Sequence, residues 1–416
     1  MNLSKKRLIE LADYINGYAF KPAQLGKDGL PVIRIEQLKN PKAIDDHYDG
    51  VLPEHNIIDN GDLIFSWSAS LFLDIWCHGK SALNQHLFKV VPKPGIDKHF
   101  LKYLIEYNLP KLTNAAHGST MQHITRKELH AFFVEVPEDE VVQKKIARVI
   151  TSINDLIRLY ESKLAKQQRI KTGLMQDLLT KGIDEQGNIR SEATHEFKDS
   201  PLGRIPVEWD VTSIEKASLD VVDCPHTTPK FTNDGVLVAR TFNIKNGRFQ
   251  DTKASYVSES EYQTRTTRLE PQAGDIIFTR EAPVGEAFVI PTGMKICLGQ
   301  RVMLIRPNAS EYIGEFLVTF IYSNAAKSIF DQICAGTTNP HLNVKEVRDF
   351  KFPKPPTKEQ ERILDAIKGI NHQISSLEIK LSKSQRIKKG LMQDLLSGQK
   401  DISQLDLDKL ISNLSV

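Results

Sequence analysis

Gln168–Leu179, QRIKTGLMQDLL, is the segment of the sequence that says most about the architecture. It returns near the end of the chain as Gln385–Leu396, QRIKKGLMQDLL, with eleven of twelve positions identical. The match extends without a gap over residues 143–182 and 360–399, at a constant offset of 217 residues, with 21 of 40 positions identical. The chain is therefore an internal duplication in which both halves end in the same segment.

Apolar residues recur in these two segments at an alternating spacing of three and four, which is typical of a helix that packs along a narrow stripe on another helix. Forty helical residues span roughly 60 Å. We expect the two helices to pack on each other in antiparallel orientation; the alternative is that each only closes the core of its own domain. The predicted spacer-helix seam is Ile150, Ile153, Ile157, Tyr160, Leu164, Leu174 and Leu178, with Ile367, Ile370, Ile374, Leu377, Leu381, Leu391 and Leu395.

Each helix carries a glycine at the same place, Gly173 and Gly390. A glycine inside a helix costs about 1 kcal/mol relative to alanine. Close approach of another backbone would offset that cost, and a simple helix break is the alternative.

The segments before the two helices repeat more weakly. Gly61–Phe65 (GDLIF) matches Gly274–Phe278 (GDIIF), and each reads as a turn that leads into a buried strand. We predict an α+β protein with two globular modules and six parts: module one at 1–142, spacer helix one at 143–182, an exposed linker at 183–207, module two at 208–359, spacer helix two at 360–399, and a tail at 400–416.

Composition excludes several classes of protein. The sequence is 40% hydrophobic and 26% charged, which is ordinary for a globular protein. Its 416 residues are too many for a single hydrophobic core. The net charge of +3 does not by itself indicate a polyanion partner. The four cysteines are scattered and indicate neither a zinc site nor a disulfide framework, so we expect reduced thiols and no bound metal. The sequence also has no apolar segment long enough to span a bilayer, and we therefore expect a cytoplasmic protein.

Motifs for catalysis are missing: the chain has no phosphate-binding loop, no dinucleotide fingerprint and no H-E-x-x-H. Side chains that can bind base edges do occur at loop-like positions, since arginine can bind guanine and glutamine or asparagine can bind adenine. For candidates that occupy corresponding positions in the two modules, the alternative is that they stabilise the shared fold and do not contact DNA. The candidates for DNA binding are Arg34, Ser66, Trp67, Gln85, Gln122, His123 and Arg126 in module one, and Arg240, Thr279, Arg280, Gln300, Arg301, Asn339 and His341 in module two.

The sequence resembles the specificity subunit of a type I restriction-modification enzyme over essentially the whole chain. The resemblance depends on the order of three features: the repeated helix ends (Lys171–Leu179 and Lys388–Leu396), the linker residues Phe197–Gly203 and Ile205–Trp209, and the two G-D-[LI]-I-F strands. The resemblance implies two target recognition domains separated by a long antiparallel two-helix coiled coil, with an internal pseudo-twofold repeat.

The resemblance also implies a non-catalytic subunit that recognises a bipartite, asymmetric sequence in double-stranded DNA. Two modification subunits using S-adenosylmethionine and two restriction subunits using ATP and magnesium would act at that target, and this chain would hold no cofactor. Three alternatives stay open: the equivalent subunit of a related two-sided-cutting system with a fused methylase-nuclease partner, a self-sufficient enzyme acting on nucleic acid, and a coiled-coil scaffold without DNA reading.

Overall fold

The structure, a computed structural model, describes residues 2–40, 43–68, 71–115, 124, 126–336, 338–403, 406 and 412. The chain divides into two compact units that do not follow the order of the sequence. The first unit combines residues 1–163 with 377–416, and the second comprises residues 164–376. Each unit therefore contains a globular part and a portion of both long helices.

In its described residues, the first unit contains the strands β1 Leu3–Arg7, β2 Ala12–Asn16, β3 Leu30–Ile33, β4 His47–Tyr48, β5 Ile57–Ile58, β6 Leu63–Ser66, β7 Phe72–Ile75, β8 Ser81–Leu83, β9 Leu87–Pro92 and β10 Phe133–Pro137. Its helices are α1 Leu8–Leu11, α2 Ile35–Lys39, α3 Lys98–Ala115, α4 Arg126–Ala131 and the start of α5 Glu140–Thr180, with 3₁₀ turns at Pro22–Gln24 and Glu54–Asn56.

The second unit begins inside α5. The part of it that the structure describes contains the strands β11 Phe197–Ser200, β12 Gly203–Pro206, β13 Asp210–Ser213, β14 Ser218–Asp223, β15 Phe231–Thr232, β16 Val236–Ala239, β17 Ile244–Lys245, β18 Arg248–Phe249, β19 Tyr256–Val257, β20 Ile276–Thr279, β21 Ala287–Val289, β22 Ile296–Leu298, β23 Val302–Pro307 and β24 Lys351–Lys354. Its helices are α6 Ile214–Ala217, α7 Glu259–Arg265, α8 Gly314–Ile321, α9 Asn324–Cys334, α10 Val344–Asp349 and the start of α11 Thr357–Leu396, with a 3₁₀ turn at Thr241–Asn243.

The same three sheets occur in both units. A four-stranded antiparallel sheet has the order β2-β9-β6-β7 in the first unit and β14-β23-β20-β21 in the second. A smaller sheet contains one parallel pair, β3 with β8 or β16 with β22. The third is a two-stranded ribbon that joins the ends of each module, β1 with β10 or β13 with β24. The sheets confirm the predicted internal repeat.

The G-D-[LI]-I-F segments form the centre of each antiparallel sheet. All four residues of β6 and all four of β20 are buried, as predicted. Gly61 and Gly274 both have a φ of 92°, a left-handed conformation that favours glycine. The following aspartates contact basic residues of the neighbouring strand, Asp62 to Lys89 at 2.9 Å and Asp275 to Arg306 at 2.8 Å.

The two long helices run antiparallel within each unit. In the first unit, Val142, Ile146 and Ile150 from the start of α5 share a core with Leu395 and Leu396 from the end of α11. In the second unit, Leu178 and Leu179 from the end of α5 share a core with residues from the start of α11, Ile363, Leu364 and Ile367. The helices begin at Glu140 and Thr357, which keeps the offset of 217 residues found in the sequence.

The exposure of the helix residues follows the alternating spacing. Seam residues are buried near the modules and half-buried towards the middle, where Leu164, Leu174, Ile374, Leu381 and Leu391 lie. Both helices continue through their glycines, and a Cβ added at Gly173 or Gly390 would meet no atom within 4 Å. The expected close approach of another backbone at these glycines is therefore wrong.

A buried glutamine anchors each long helix to its module. In the first unit, Gln143 accepts a hydrogen bond from the Asp97 backbone N–H at 2.8 Å and donates to the Pro137 carbonyl at 2.9 Å. Gln360, 217 residues later, accepts from the Ile313 backbone N–H at 2.8 Å and donates to the Pro355 carbonyl at 2.8 Å. Both helix starts are thus fixed by the same pair of contacts.

The segment predicted to be an exposed linker, 183–207, is partly buried. Arg190 forms a buried, two-pronged ion pair with Glu359, the third residue of α11, and the indole N–H of Trp209 donates to the same carboxylate at 3.0 Å. The rest of the segment forms the β11–β12 hairpin, with Ile205 buried. In the tail, Ile402 is fully buried, and most residues beyond 403 lie outside the described part.

Candidate nucleic-acid interface

Three loops of the second module meet where β20 ends. The backbone N–H of Arg280 donates to the Arg301 carbonyl at 2.9 Å, and the Leu342 N–H donates to the Arg280 carbonyl at 2.8 Å. On the other side, the Cys224 N–H donates to the Val302 carbonyl at 3.2 Å. Residues that are up to about a hundred positions apart in the chain therefore come together at one edge.

Four of the candidate side chains are exposed at this edge, which we call the second-module rim: Gln300, Arg301, Asn339 and His341. Arg301 has a φ of 67°, unusual for a residue with a side chain, and its guanidinium lies 3.4 Å from the Glu281 carboxylate. Gln300 donates to the His226 carbonyl at 3.2 Å. The rim therefore presents amide, imidazole and guanidinium groups to solvent.

Two other candidates lie beneath the rim. Thr279 is fully buried; its hydroxyl donates to the Pro283 carbonyl at 2.7 Å and accepts from the Glu286 N–H at 2.9 Å. The side chain of Arg280 is 15% exposed and its Nε lies 3.3 Å from Asp223 Oδ1. Both residues hold the loops in place in this structure.

Arg265, which sequence reasoning missed, fixes the loops from below. It is buried and donates to the carbonyls of Leu298 at 2.8 Å, Thr227 at 3.2 Å, and Pro225 and Gly299 at 3.4 Å. The only local signal is its position four residues after Glu261 on α7, with which it pairs at 3.6 Å. A single buried guanidinium thus ties the 225–227 loop to the strand that leads into the rim.

Arg240 lies beside the rim on a different segment. The Gly299 N–H donates to the Ala239 carbonyl at 2.9 Å, which places the end of β16 against the residue before Gln300. The Arg240 guanidinium lies over two aromatic rings, 5.1 Å from the centre of Phe231 and 4.6 Å from that of Phe242.

The first module repeats this backbone arrangement with other side chains. The Ile124 N–H donates to the Trp67 carbonyl at 2.9 Å, as Leu342 does to Arg280. Ser66 is buried like Thr279, and Gln85 is exposed like Gln300. His86 stands where the second module has Arg301; its ring lies 5.9 Å from that of Trp67.

The remaining candidates of the first module are placed differently. Arg34 pairs with Asp46 at 2.5 Å, and Arg126 donates to the Tyr14 carbonyl at 2.9 Å. Gln122 and His123 lie outside the described residues. The edge of the first module therefore presents an amide and an imidazole beside the half-buried Trp67 ring, and the charge of its Arg34 is balanced by a carboxylate.

Two thiols of the second module are poorly suited to nucleophilic catalysis. Burial raises the pKa of the Cys224 thiol beneath the rim, and burial likewise raises that of Cys334. Both thiols stay protonated near neutral pH and are poor nucleophiles. Across the described residues, His, Cys, Asp and Glu form no group of three or more that could bind a metal ion.

No helix in the described part of the chain is both long and apolar enough to cross a membrane.

Fold and site together define a protein of two repeated modules on an antiparallel helix pair, with different polar rims at equivalent edges. The chain belongs to the family described as type I restriction modification DNA specificity domain, whose model matches residues 2–169 and again 219–387. This match confirms the resemblance to that family, although both matched ranges end just before the repeated helix ends.

Relatives and solved structures agree with that assignment. The chain is 23% identical to the type I restriction enzyme MjaVIII specificity subunit of Methanocaldococcus jannaschii, over 96% of this chain and 93% of the relative. It is 20% identical to the EcoBI specificity subunit of Escherichia coli, over 93% and 83% of the two chains. The crystal structure of the S subunit from M. genitalium matches with a TM-score of 0.59 at 12% identity, covering 95% of this chain and 96% of that one.

Proposed function

We propose that the chain recognises a bipartite, asymmetric DNA sequence, one half-site per module, and directs adenine methylation and restriction by partner subunits. Two modification subunits and two restriction subunits would carry out the chemistry in the cytoplasm with S-adenosylmethionine, ATP and magnesium, and this chain would act without a cofactor. In the proposal, residues 1–142 and 208–359 are the two target recognition domains, and the seam residues of α5 and α11 set their spacing.

The observation that carries the proposal is the contrast between the two edges. The same backbone hydrogen bonds hold Trp67 and Arg280, yet the neighbouring exposed positions differ, with His86 in one module and Arg301 in the other. Two modules that recognise different sequences require a shared backbone frame with different exposed side chains, because base edges are distinguished by their donor and acceptor patterns.

Exposure narrows the candidates for base contact. Arg34, Gln85 and Arg126 in the first module have exposed side chains, of which Arg34 pairs with Asp46 and Arg126 donates to the Tyr14 carbonyl. The exposed candidates in the second module are Gln300, Arg301, Asn339 and His341. The side chains of Thr279 and Arg280 contact other loops of the module and are largely buried, and we propose that they position the rim. Ser66 is assigned the same role in the first module.

The test uses the full chain assembled with modification subunits on a DNA library in which each half-site is randomised separately. Arg301→Ala should relax the methylated sequence at one position of the second half-site, with a loss of about 1 to 3 kcal/mol in discrimination. His86→Ala should act only on the first half-site. Arg204→Ala is the matched control, since this exposed arginine lies on the linker hairpin, where it pairs with Glu192.

Three results would each contradict a part of the proposal. Equal weakening on every sequence, with a shallower salt dependence, would make Arg301 a phosphate contact. Absence of any sequence preference in the unaltered complex would favour a scaffold role, and methyl transfer by the purified chain alone would favour a self-sufficient enzyme.

A further inference from the structure

Phe231 and Phe242 are large apolar side chains of the second module that face solvent, with 44% and 47% of their surface exposed. The guanidinium of Arg240 lies within cation–π distance of both rings. We call these three residues the Phe–Arg–Phe stack. Neither ring was identified from the sequence, since both occur in short segments without a motif.

The stack is held rigidly next to the rim. The Arg240 guanidinium donates to the Ser255 hydroxyl at 3.3 Å. A Cβ added at Gly299 would lie 2.6 Å from the Ala239 carbonyl oxygen and 3.3 Å from Arg240 Cγ, so the chain leading to Gln300 passes directly against the stack. The arginine is therefore oriented before any ligand binds, which lowers the entropy cost of binding.

The charge of the chain segment that carries the stack favours a polyanion. Residues 227–255 contain five basic and two acidic side chains. Within the part of the chain that the structure describes, none of the five cations (Lys230, Arg240, Lys245, Arg248 and Lys253) forms an ion pair.

The corresponding segment of the first module has no excess of positive charge. Its equivalent residues 21–49 contain five basic and five acidic side chains, and Arg34, at the position of Arg240, pairs with Asp46. The unbalanced positive charge thus belongs to the second module and is not a requirement of the shared fold.

We infer that the Phe–Arg–Phe stack enters the major groove at the second half-site, where Arg240 binds a guanine and the two rings pack on thymine methyl groups. Arginine matches the O6 and N7 acceptors of guanine, and phenylalanine can contact the thymine C5-methyl, which is displayed in the major groove. This inference rests on the proposed function and specifies how one module reads its half-site.

The experiment measures binding of the full chain, assembled with its modification partners, to duplexes carrying the target found by methylation mapping. In one series each thymine of the second half-site is replaced by deoxyuridine, which lacks only the methyl group. In the other, each guanine is replaced by 7-deazaguanine, which lacks the N7 acceptor. Any methylated adenine is paired with thymine, so the first series is always possible.

For the unaltered protein, one deoxyuridine substitution should weaken binding about fourfold, the value for one buried methyl-sized group. One 7-deazaguanine substitution should weaken it by roughly 5-fold or more, as expected for part of a bidentate contact worth up to about 140-fold. Phe231→Ala with Phe242→Ala should abolish the first effect, and Arg240→Met, which has no donor for guanine O6 and N7, should abolish the second.

Phe133→Ala is the matched control, because Phe133 is 46% exposed and lies beside Lys5 and Arg7 at 5.2 and 5.3 Å in the first unit. It should leave both effects unchanged. Thermal melting of each variant separates loss of contact from loss of folding.

The inference is overturned if the variants respond to the modified bases as the unaltered protein does, or if the second half-site contains no G·C pair. The proposed function fails by a different result, namely equal binding of the target and a shuffled duplex by the unaltered protein.

Discussion

The buried contact between Arg190 and Glu359 provides a quantitative test of how the linker is attached to the second unit. The Glu359 carboxylate is 2% exposed and accepts four hydrogen bonds, two from Arg190, one from the Trp209 indole and one from the Ile183 backbone N–H at 2.9 Å. Val142 occupies the equivalent position in the first repeat, so the ion pair is specific to the second.

Glu359→Gln leaves the Arg190 cation buried without a carboxylate, and Arg190→Met leaves the carboxylate without a cation. Each should lower the free energy of unfolding by about 3 to 5 kcal/mol. The double variant contains no buried charge, so its loss should be about 1 to 3 kcal/mol from the remaining hydrogen bonds. The expected coupling free energy is therefore at least about 3 kcal/mol.

Trp209 reports this transition because it is fully buried in the second unit, whereas Trp67 and Trp76 lie in the first. Urea unfolding followed by Trp209 fluorescence, with Trp67 and Trp76 replaced by Phe, measures the stability of the second unit alone. The control pair is Arg204 and Glu192, with side chains 47% and 61% exposed, which should couple by less than about 1 kcal/mol. Losses that add within about 0.5 kcal/mol for Arg190 and Glu359 would refute the reasoning.

Gln143→Leu and Gln360→Leu should each lower the free energy of unfolding of their own unit by about 2 to 4 kcal/mol, because each leaves buried backbone groups without partners. As a control, Gln176→Leu at an exposed position should change it by less than about 0.5 kcal/mol. Unfolding curves that shift in neither unit would contradict the anchoring role. Burial raises the pKa of the Cys297 thiol from 9.0 to about 11. Because the unfolded thiol ionises first, the protein should lose stability as pH rises from 9 to 11, and Cys297→Ala should remove about 2 to 3 kcal/mol of that loss in a comparison of urea midpoints across pH. The same change at the exposed Cys77 should have no such effect, and identical pH profiles for Cys297→Ala and the unaltered protein would contradict the assignment.

The loops of the site were only partly predictable. Gln300 and Arg301 were placed correctly at a loop because they follow a short buried strand, but the sequence does not tell that Arg280 turns inward to Asp223. Likewise Arg265, in a short polar helix, gives no sign that it binds four carbonyls on other segments. Such contacts join residues 30 or more positions apart, and local pattern carries no information on them.

The sequence by itself determined the duplication, the two long helices and the central strands, because apolar spacing and glycine at a positive φ act over a few residues and recur at a fixed offset. Tertiary structure alone decided which half of each helix packs with which module, that Arg190 is buried against Glu359, and that Phe231, Arg240 and Phe242 form one surface. These features depend on segments brought together by the folded chain, since burial and charge pairing are set by neighbours in space.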